Sequence, residues 1–248
     1  KSWKSDLERM GGKGGIKDPR FLIEHAGDPE YSLVTRSSDG QMLFLANMVS
    51  KMKHSTSLGS RIAEVHNGSS LFTGDAGQGE SNIRRWVIES DWLEAIVALP
   101  LNMFYNTGIA TYIWVLSNRK PDHRRGKVQL IDATQWFKPL RKNLGKKNCE
   151  LSEEDIQRIC DVFLAFEETE QSKIFPNAAL GYWKVTVERP LRLDGIDPNR
   201  TYTAKEIKTL KESGERSDDA PPVIKKVHKR GTDPDPLRGL FPANISGK

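Results

Sequence analysis

Apolar residues Met42, Leu45, Ala46, Val49 and Met52 recur at the spacing of one buried helical face. The spacing predicts a helix that opens at the cap candidates Ser37, Ser38 and Asp39. Ile62, Ala63 and Val65 then form a short apolar run, read as a buried strand, that ends in the loop-forming Asn67-Gly68-Ser69-Ser70. A glycine-rich loop (Gly74, Gly77, Gly79) leads to a helix from about Ser81, with Ile83, Trp86 and Val87 inward. Leu93–Leu99, Ile109–Leu116 and Val128–Ile131 are near-continuous apolar runs, the pattern of strands covered on both faces. Strand–helix–strand order with such strands predicts a layered α/β fold. Only about nine residues separate Leu99 from Ile109, too few for a crossover helix. These two strands are therefore expected to pair antiparallel. Ser152 with Asp155 reads as a capping box opening a helix with Ile156, Ile159, Cys160 and Phe163 on its apolar face.

Three segments look different. Residues 1–36 are rich in glycine, charge and turn-formers, which is loop composition. Trp183, Val185, Val187, Leu191 and Leu193 alternate with polar residues as in a half-exposed strand, with Pro190 placing it at an edge or breaking it. From Thr203 one short Lys-rich helical pattern occurs, and residues 212–248 have little to bury. The expected organisation is a loop-rich 1–36, a core at 37–193 and a polar, partly flexible tail at 194–248.

Composition narrows the function classes. The 248 residues carry a formal charge of +5, which permits a polyanionic partner without requiring one. No run is long and apolar enough to span a membrane. Two cysteines, Cys149 and Cys160, exclude a disulfide framework and a CxxC-type metal site, and a reducing cytoplasm is the expected location. The five histidines are scattered without a ligand pair, so no metal is expected; His66 reads as a hydrogen-bonded structural residue and Cys160 as core packing. Gly74-Asp75-Ala76-Gly77-Gln78-Gly79 has neither the P-loop ending nor dinucleotide spacing.

Two features carry candidate chemistry. The connection Leu99–Ile109 places Phe104, Tyr105, Asn102, Asn106 and Thr107 after a buried strand, where α/β proteins put ligand-binding groups. A turn whose aromatics merely cover the core fits the sequence equally well. The basic clusters, Arg119 to Lys127 and Lys138 to Lys147, fall in expected loops after strands. Each is either a solvated surface or a phosphate-contacting one.

The run from Ser37 to Thr134 resembles the modification subunit of type I restriction-modification systems, the adenine-N6 DNA methyltransferases. The residues that carry the resemblance are Ser38-Asp39-Gly40-Gln41, Asn67-Gly68-Ser69-Ser70-Leu71-Phe72 and, most specifically, Leu99-Pro100-Leu101-Asn102-Met103-Phe104-Tyr105-Asn106-Thr107-Gly108-Ile109. Gly126–Ala133 and Gly181–Leu191 extend it to about residue 193. The resemblance implies the carboxyl-terminal half of a Rossmann-like S-adenosylmethionine-dependent methyltransferase sheet, parallel except for one antiparallel strand, followed by a C-terminal extension. In that frame 61–66 is the fifth strand, and 93–99 with 109–116 is the closing hairpin. For the complete subunit it implies direct methyl transfer from S-adenosylmethionine to N6 of a flipped adenine. The family's glycine-rich cofactor motif and its Asn-Pro-Pro-Phe tetrapeptide do not occur here. The chain accordingly reads as starting a few residues past the tetrapeptide, with no catalytic residue of its own and no activity alone. Phe104 or Tyr105 matches the aromatic that stacks on the extruded base, with Asn102, Asn106 and Thr107 supporting the loop. Arg124, Arg125, Lys138, Arg141 and Lys142 are the DNA-backbone candidates. DNA, a specificity subunit and a restriction subunit are the implied partners. The alternative is a non-catalytic assembly or DNA-backbone-binding fragment.

Overall fold

The computed structural model describes residues 4–11, 17–182, 184–188, 192–193, 203–213, 216–217 and 223–228. The chain divides into two compact units, 1–181 and 182–248.

The first unit opens with α1 (Lys4–Gly11), β1 (Leu22–His25) and β2 (Asp28–Ser32). A helix and a hairpin thus replace the loop expected for residues 1–36. Ala26 and Gly27 both take positive φ, 51° and 80°, and so turn β1 into β2 antiparallel. Tyr31 and the following Leu33 are fully buried, which anchors this hairpin to the core.

α2 (Gln41–Val49) buries Met42, Leu45, Ala46 and Val49, the positions that its periodicity marks, and Met52 is buried just beyond its end. Its N-cap is Gly40, which has no side chain to give, and the Asp39 carboxylate accepts the Gln41 N–H instead (3.1 Å). There follow β3 (Arg61–Asn67), α3 (Ser69–Phe72), α4 (Gly79–Glu89), β4 (Leu93–Ala98), β5 (Thr111–Ser117), β6 (Lys127–Asp132), β7 (Lys138–Leu144), β8 (Lys147–Glu150), α5 (Glu153–Ala165) and β9 (Ser172–Pro176).

The main sheet runs β3-β5-β4-β6-β9. β4 and β6 are parallel, while β5 is antiparallel to both β3 and β4, as the short 99–109 connection requires. Alternation along the strands separates two cores. Trp114, Leu116 and Val128 pack with the buried faces of α2 and α4. Val97 and Ile131 point the other way and pack with Trp136 and with Ile159, Val162 and Phe163 of α5.

Two expectations need correction. Among the described residues β3 lies at an edge of the sheet and is not buried on both faces: Val65 is 50% exposed because none of those residues covers that end of its face. α5 does form behind its capping box, with Ser152 Oγ accepting the Asp155 N–H and the Asp155 carboxylate accepting the Ser152 N–H. Cys160, however, is exposed, because α5 lies against the sheet through Ile159, Val162 and Phe163 and turns Cys160 away.

In the second unit β10 (Lys184–Glu188) pairs antiparallel with β13 (Val223–His228), and β11 (Arg192–Leu193) with β12 (Arg216–Ser217). α6 (Ala204–Ser213) is the Lys-rich helix expected after Thr203. β12 and β13 fall inside the segment read as a polar tail with little to bury. Trp183, Pro190 and Leu191 of the anticipated strand, and residues 229–248 of the tail, lie outside the described residues.

Candidate nucleic-acid interface

Register brings three strand ends to one edge of the sheet. Asn67 ends β3 opposite Thr111, and Ala98 ends β4 between Tyr112 and Asp132. Everything that follows β3, β4 and β6 therefore emerges on the same side, where α/β folds hold ligands.

The first of these connections is locked by a polar network. Gln41 Oε1 accepts the Asn67 N–H (3.1 Å) and faces His66 Nδ1 at 3.3 Å. Its Nε2 lies within hydrogen-bond distance of Asp39 Oδ2 (3.0 Å), Asn67 Oδ1 (2.9 Å) and Ser69 Oγ (2.6 Å). Ser69 Oγ also donates to Asp39 (3.0 Å). The two short stretches Ser38–Gln41 and Asn67–Ser70, far apart in the chain, thus form one site. Burial pushes the Asp39 pKa up, but hydrogen bonds from the Gln41 N–H, Ser69 and Gln41, together with Arg36, more than offset this and hold it below the usual value. His66 is buried against Trp114, the structural role expected of it.

The second connection is the aromatic loop. Asn102 and Asn106 both adopt the left-handed conformation (φ 57° and 55°), which asparagine tolerates better than most residues. They turn the chain twice in five residues and push its tip outward. Phe104 is 38% and Tyr105 63% exposed, so neither serves chiefly to fill the core. Thr107 Oγ1 accepts the Ile109 N–H, and Leu99 donates to Thr111, closing the loop at its base.

The third connection carries the basic cluster, on the β7–β8 hairpin and not in the loop expected there. Lys138, Arg141 and Lys142 are exposed on β7. The hairpin rests on the aromatic loop: the Asn148 N–H donates to Asn102 O (3.1 Å) and the Cys149 thiol to Leu101 O (3.1 Å). Burial pushes the Cys149 thiol pKa up.

Arg124 and Arg125 are not part of this surface. They sit between β5 and β6, at the opposite end of the sheet. Arg124 is only 4% exposed; its guanidinium lies over the rings of Phe163 and Phe166 and donates to Gln129 Oε1 and to the Phe163 carbonyl. It holds α5 to β6 and cannot reach a phosphate. Arg125 is exposed and pairs with Asp122 (3.1 Å).

The glycine-rich loop before α4 is packed against its own chain at Gly79. A Cβ at Gly79 would meet Val34 O at 2.0 Å, and buried Glu80 accepts the Arg36 N–H there (3.2 Å). At Gly79 the loop therefore has no room for a nucleoside or a methionine moiety, whereas a Cβ at Gly77 would meet nothing within 4 Å. Sequence reasoning missed Gln41 as the centre of a network and Asn148 and Gly145 as supports of the loop. Only Gly145 left a signal, as a turn residue between two lysine-rich strands.

The mixed sheet, with helices on both faces and three strand ends at one edge, has the fold of methyltransferase subunits. It resembles the type I restriction-modification methyltransferase subunit from Streptococcus thermophilus (TM-score 0.53, 22% identity, covering 67% of this chain and 31% of that one). The chain belongs to the N-6 DNA Methylase family, which matches residues 13–181. It is similar to the type I restriction enzyme MjaIX methylase subunit of Methanocaldococcus jannaschii, 39% identical over 133 residues, which are 52% of this chain and 23% of that protein. The MpnII methylase subunit of Mycoplasma pneumoniae is 34% identical over 89 residues, 36% of this chain and 15% of that protein. The chain thus spans about a quarter or less of these curated relatives.

Proposed function

We propose that this chain is the base- and backbone-contacting part of a type I DNA adenine-N6 methylase. The observation that carries the proposal is the juxtaposition of an outward aromatic loop and a basic hairpin at the ligand edge of an N-6 DNA Methylase sheet. In this reading β3, β5 and β4 are the closing strands of the S-adenosylmethionine-dependent methyltransferase sheet, and 194–248 is an extension. Phe104 or Tyr105 stacks on an adenine turned out of the duplex, with Asn102, Asn106 and Thr107 holding the loop. Lys138, Arg141 and Lys142 take flanking phosphates. S-adenosylmethionine supplies the methyl group, bound by residues other than those described here. DNA, a specificity subunit and a restriction subunit are the partners, and the cytoplasm is the location.

This sequence, without the family's cofactor motif or its Asn-Pro-Pro-Phe tetrapeptide, favours a second reading for the chain by itself: a DNA-backbone and assembly module. Transfer of tritium from labelled S-adenosylmethionine to unmethylated DNA tests both. The chain alone is expected to bind DNA and transfer nothing. When a cofactor-binding part and the specificity subunit are supplied, alanine at the stacking position is expected to lower methylation about tenfold to a hundredfold. That range follows from roughly 1–3 kcal/mol per stacked base. Tryptophan at that position is expected to retain most of the rate. Normal turnover per folded molecule for both Phe104→Ala and Tyr105→Ala would remove the base-stacking role.

A further inference from the structure

The hairpin and the aromatic loop are joined at more than their hydrogen bonds. Gly145 turns the hairpin at φ +62°, and a Cβ there would lie 2.7 Å from Asn106 Oδ1. Gly108 stands in the same relation to Asn102: its Cβ would lie 2.7 Å from Asn102 Oδ1. The two left-handed asparagines that aim Phe104 and Tyr105 are therefore each seated against a glycine backbone, one inside the loop and one at the hairpin turn. On the hairpin itself no carboxylate of the described residues lies within ion-pair distance of Arg141, Lys142, Lys146 or Lys147. An arm whose Arg141, Lys142, Lys146 and Lys147 have no ion-pair partner among the described residues is set up to take external anions, and a run of phosphates matches its spread of charge.

We propose that the β7–β8 hairpin is a phosphate-gripping arm whose turn, through the Gly145–Asn106 contact, positions the aromatic loop, so that DNA held by the arm and the base-taking tip are set in register. Asn106 and Gly145 are then positioning residues, and Lys146 joins Lys142 as a phosphate contact. The proposal rests on the base-stacking reading above. Its physical content is that the arm's cations set affinity, while the seat of its turn sets where the aromatics stand. A shift of about 1 Å at a reacting group can cost about a hundredfold in rate, so a contact of this kind suffices to matter.

The test uses the methylase with its cofactor-binding part and specificity subunit on two DNAs, one with 2-aminopurine in place of the target adenine, which reports extrusion, and one with the natural adenine, which reports methylation. Gly145→Asn keeps a residue tolerant of the left-handed turn and adds only the side chain. It is expected to leave DNA affinity within about twofold, because affinity resides in the phosphate contacts. The 2-aminopurine signal and the methylation rate are expected to fall about tenfold, a fraction of the cost of a full 1 Å misplacement. Asn106→Gly removes the clashing amide, so in the double variant the two losses are expected to be non-additive. Lys142→Ala with Lys146→Ala is expected to weaken binding and to reduce the salt slope by about 1.8, at about 0.9 per phosphate. Full base extrusion by Gly145→Asn, additive losses in the double variant, or an unchanged salt slope would each overturn the proposal. Phe104→Ala and Tyr105→Ala in the same assay separate the causes: if both extrude and methylate normally, the stacking reading fails first.

Discussion

Replacing Gln41 by alanine removes the one side chain that ties the start of α2 to the end of β3. Its Oε1 takes the Asn67 N–H, which marks it as the acceptor and makes the facing His66 Nδ1 a donor. Both donors lose their partner in Gln41→Ala, whereas Ser69 keeps its bond to Asp39. An orphaned buried donor costs about 1–3 kcal/mol, and water can reach the Asn67 side of this half-buried site, so the sum is about 2–3 kcal/mol. For a unit of this size each kcal/mol moves the melting midpoint by about 2–4 °C, which predicts a loss of roughly 4–12 °C. Gln41→Glu sharpens the test. It retains the acceptor but sets a carboxylate against ionised Asp39, so its defect is expected to be large at pH 7 and to shrink as the pH falls and the pair takes up a proton. Thermal unfolding at both pH values measures the two variants. A midpoint for Gln41→Ala within about 1 °C of the parent would show that the network carries no stability.

Arg124→Ala is expected to cost roughly 2–4 kcal/mol of stability through its lost ring and carbonyl contacts, with no change in the salt slope of DNA binding; a normal melt with weakened binding would reverse its assignment. Of the two thiols, only exposed Cys160 is expected to react with a disulfide reagent in the native protein, and two equivalents modified before unfolding would contradict the burial of Cys149. Burial pushes the Asp91 pKa up, but Lys120, the Gly126 N–H and Asn177 more than offset it, so Asp91, like Asp39, is held below its ordinary value. A lowered folded-state pKa means that the unfolded chain binds the proton first. Their contribution is then complete above about pH 4 and is lost as the pH falls through the folded values, so Asp91→Asn should flatten the acid limb of the urea midpoint.

Where one residue's neighbours lie close in sequence, the sequence was readable. The face of α2, the capping box of α5 and the antiparallel β4–β5 connection all follow from spacing within a dozen residues. Coverage was not readable. Ile62, Ala63 and Val65 are apolar whether or not anything lies over them, and Cys160 sits on an apolar stripe wider than the strip α5 uses. The β1–β2 hairpin was hidden by Glu24, His25, Asp28 and Pro29, which read as a loop, while its register depends on an Ala-Gly turn and on burial of Tyr31. Charge was ambiguous in the same way: Arg124 and Lys142 look alike in sequence, and only Phe163 and Phe166, some forty residues on, distinguish a clamp from a surface cation. The aromatic loop was legible by position, but its seat on the hairpin depends on Gly145, which shows only as a turn residue, and on Asn148, which no local pattern marks.

The order β3-β5-β4 has a consequence for how the protein is made. Among the described residues β3 pairs with β5, and β4 with β5 and β6, so within this stretch both strands leave the ribosome before the strand that joins them. About fifty residues separate the end of β3 from the end of β5, which is roughly 3–10 s of synthesis at about 5–20 residues per second. Through that interval the edges of β3 and β4 that β5 later joins stand open. Messages truncated before Thr111 should therefore yield products that chaperones retain or that aggregate, whereas those reaching past Asp132 should yield chains that release. The strand made later is the one that seals the sheet.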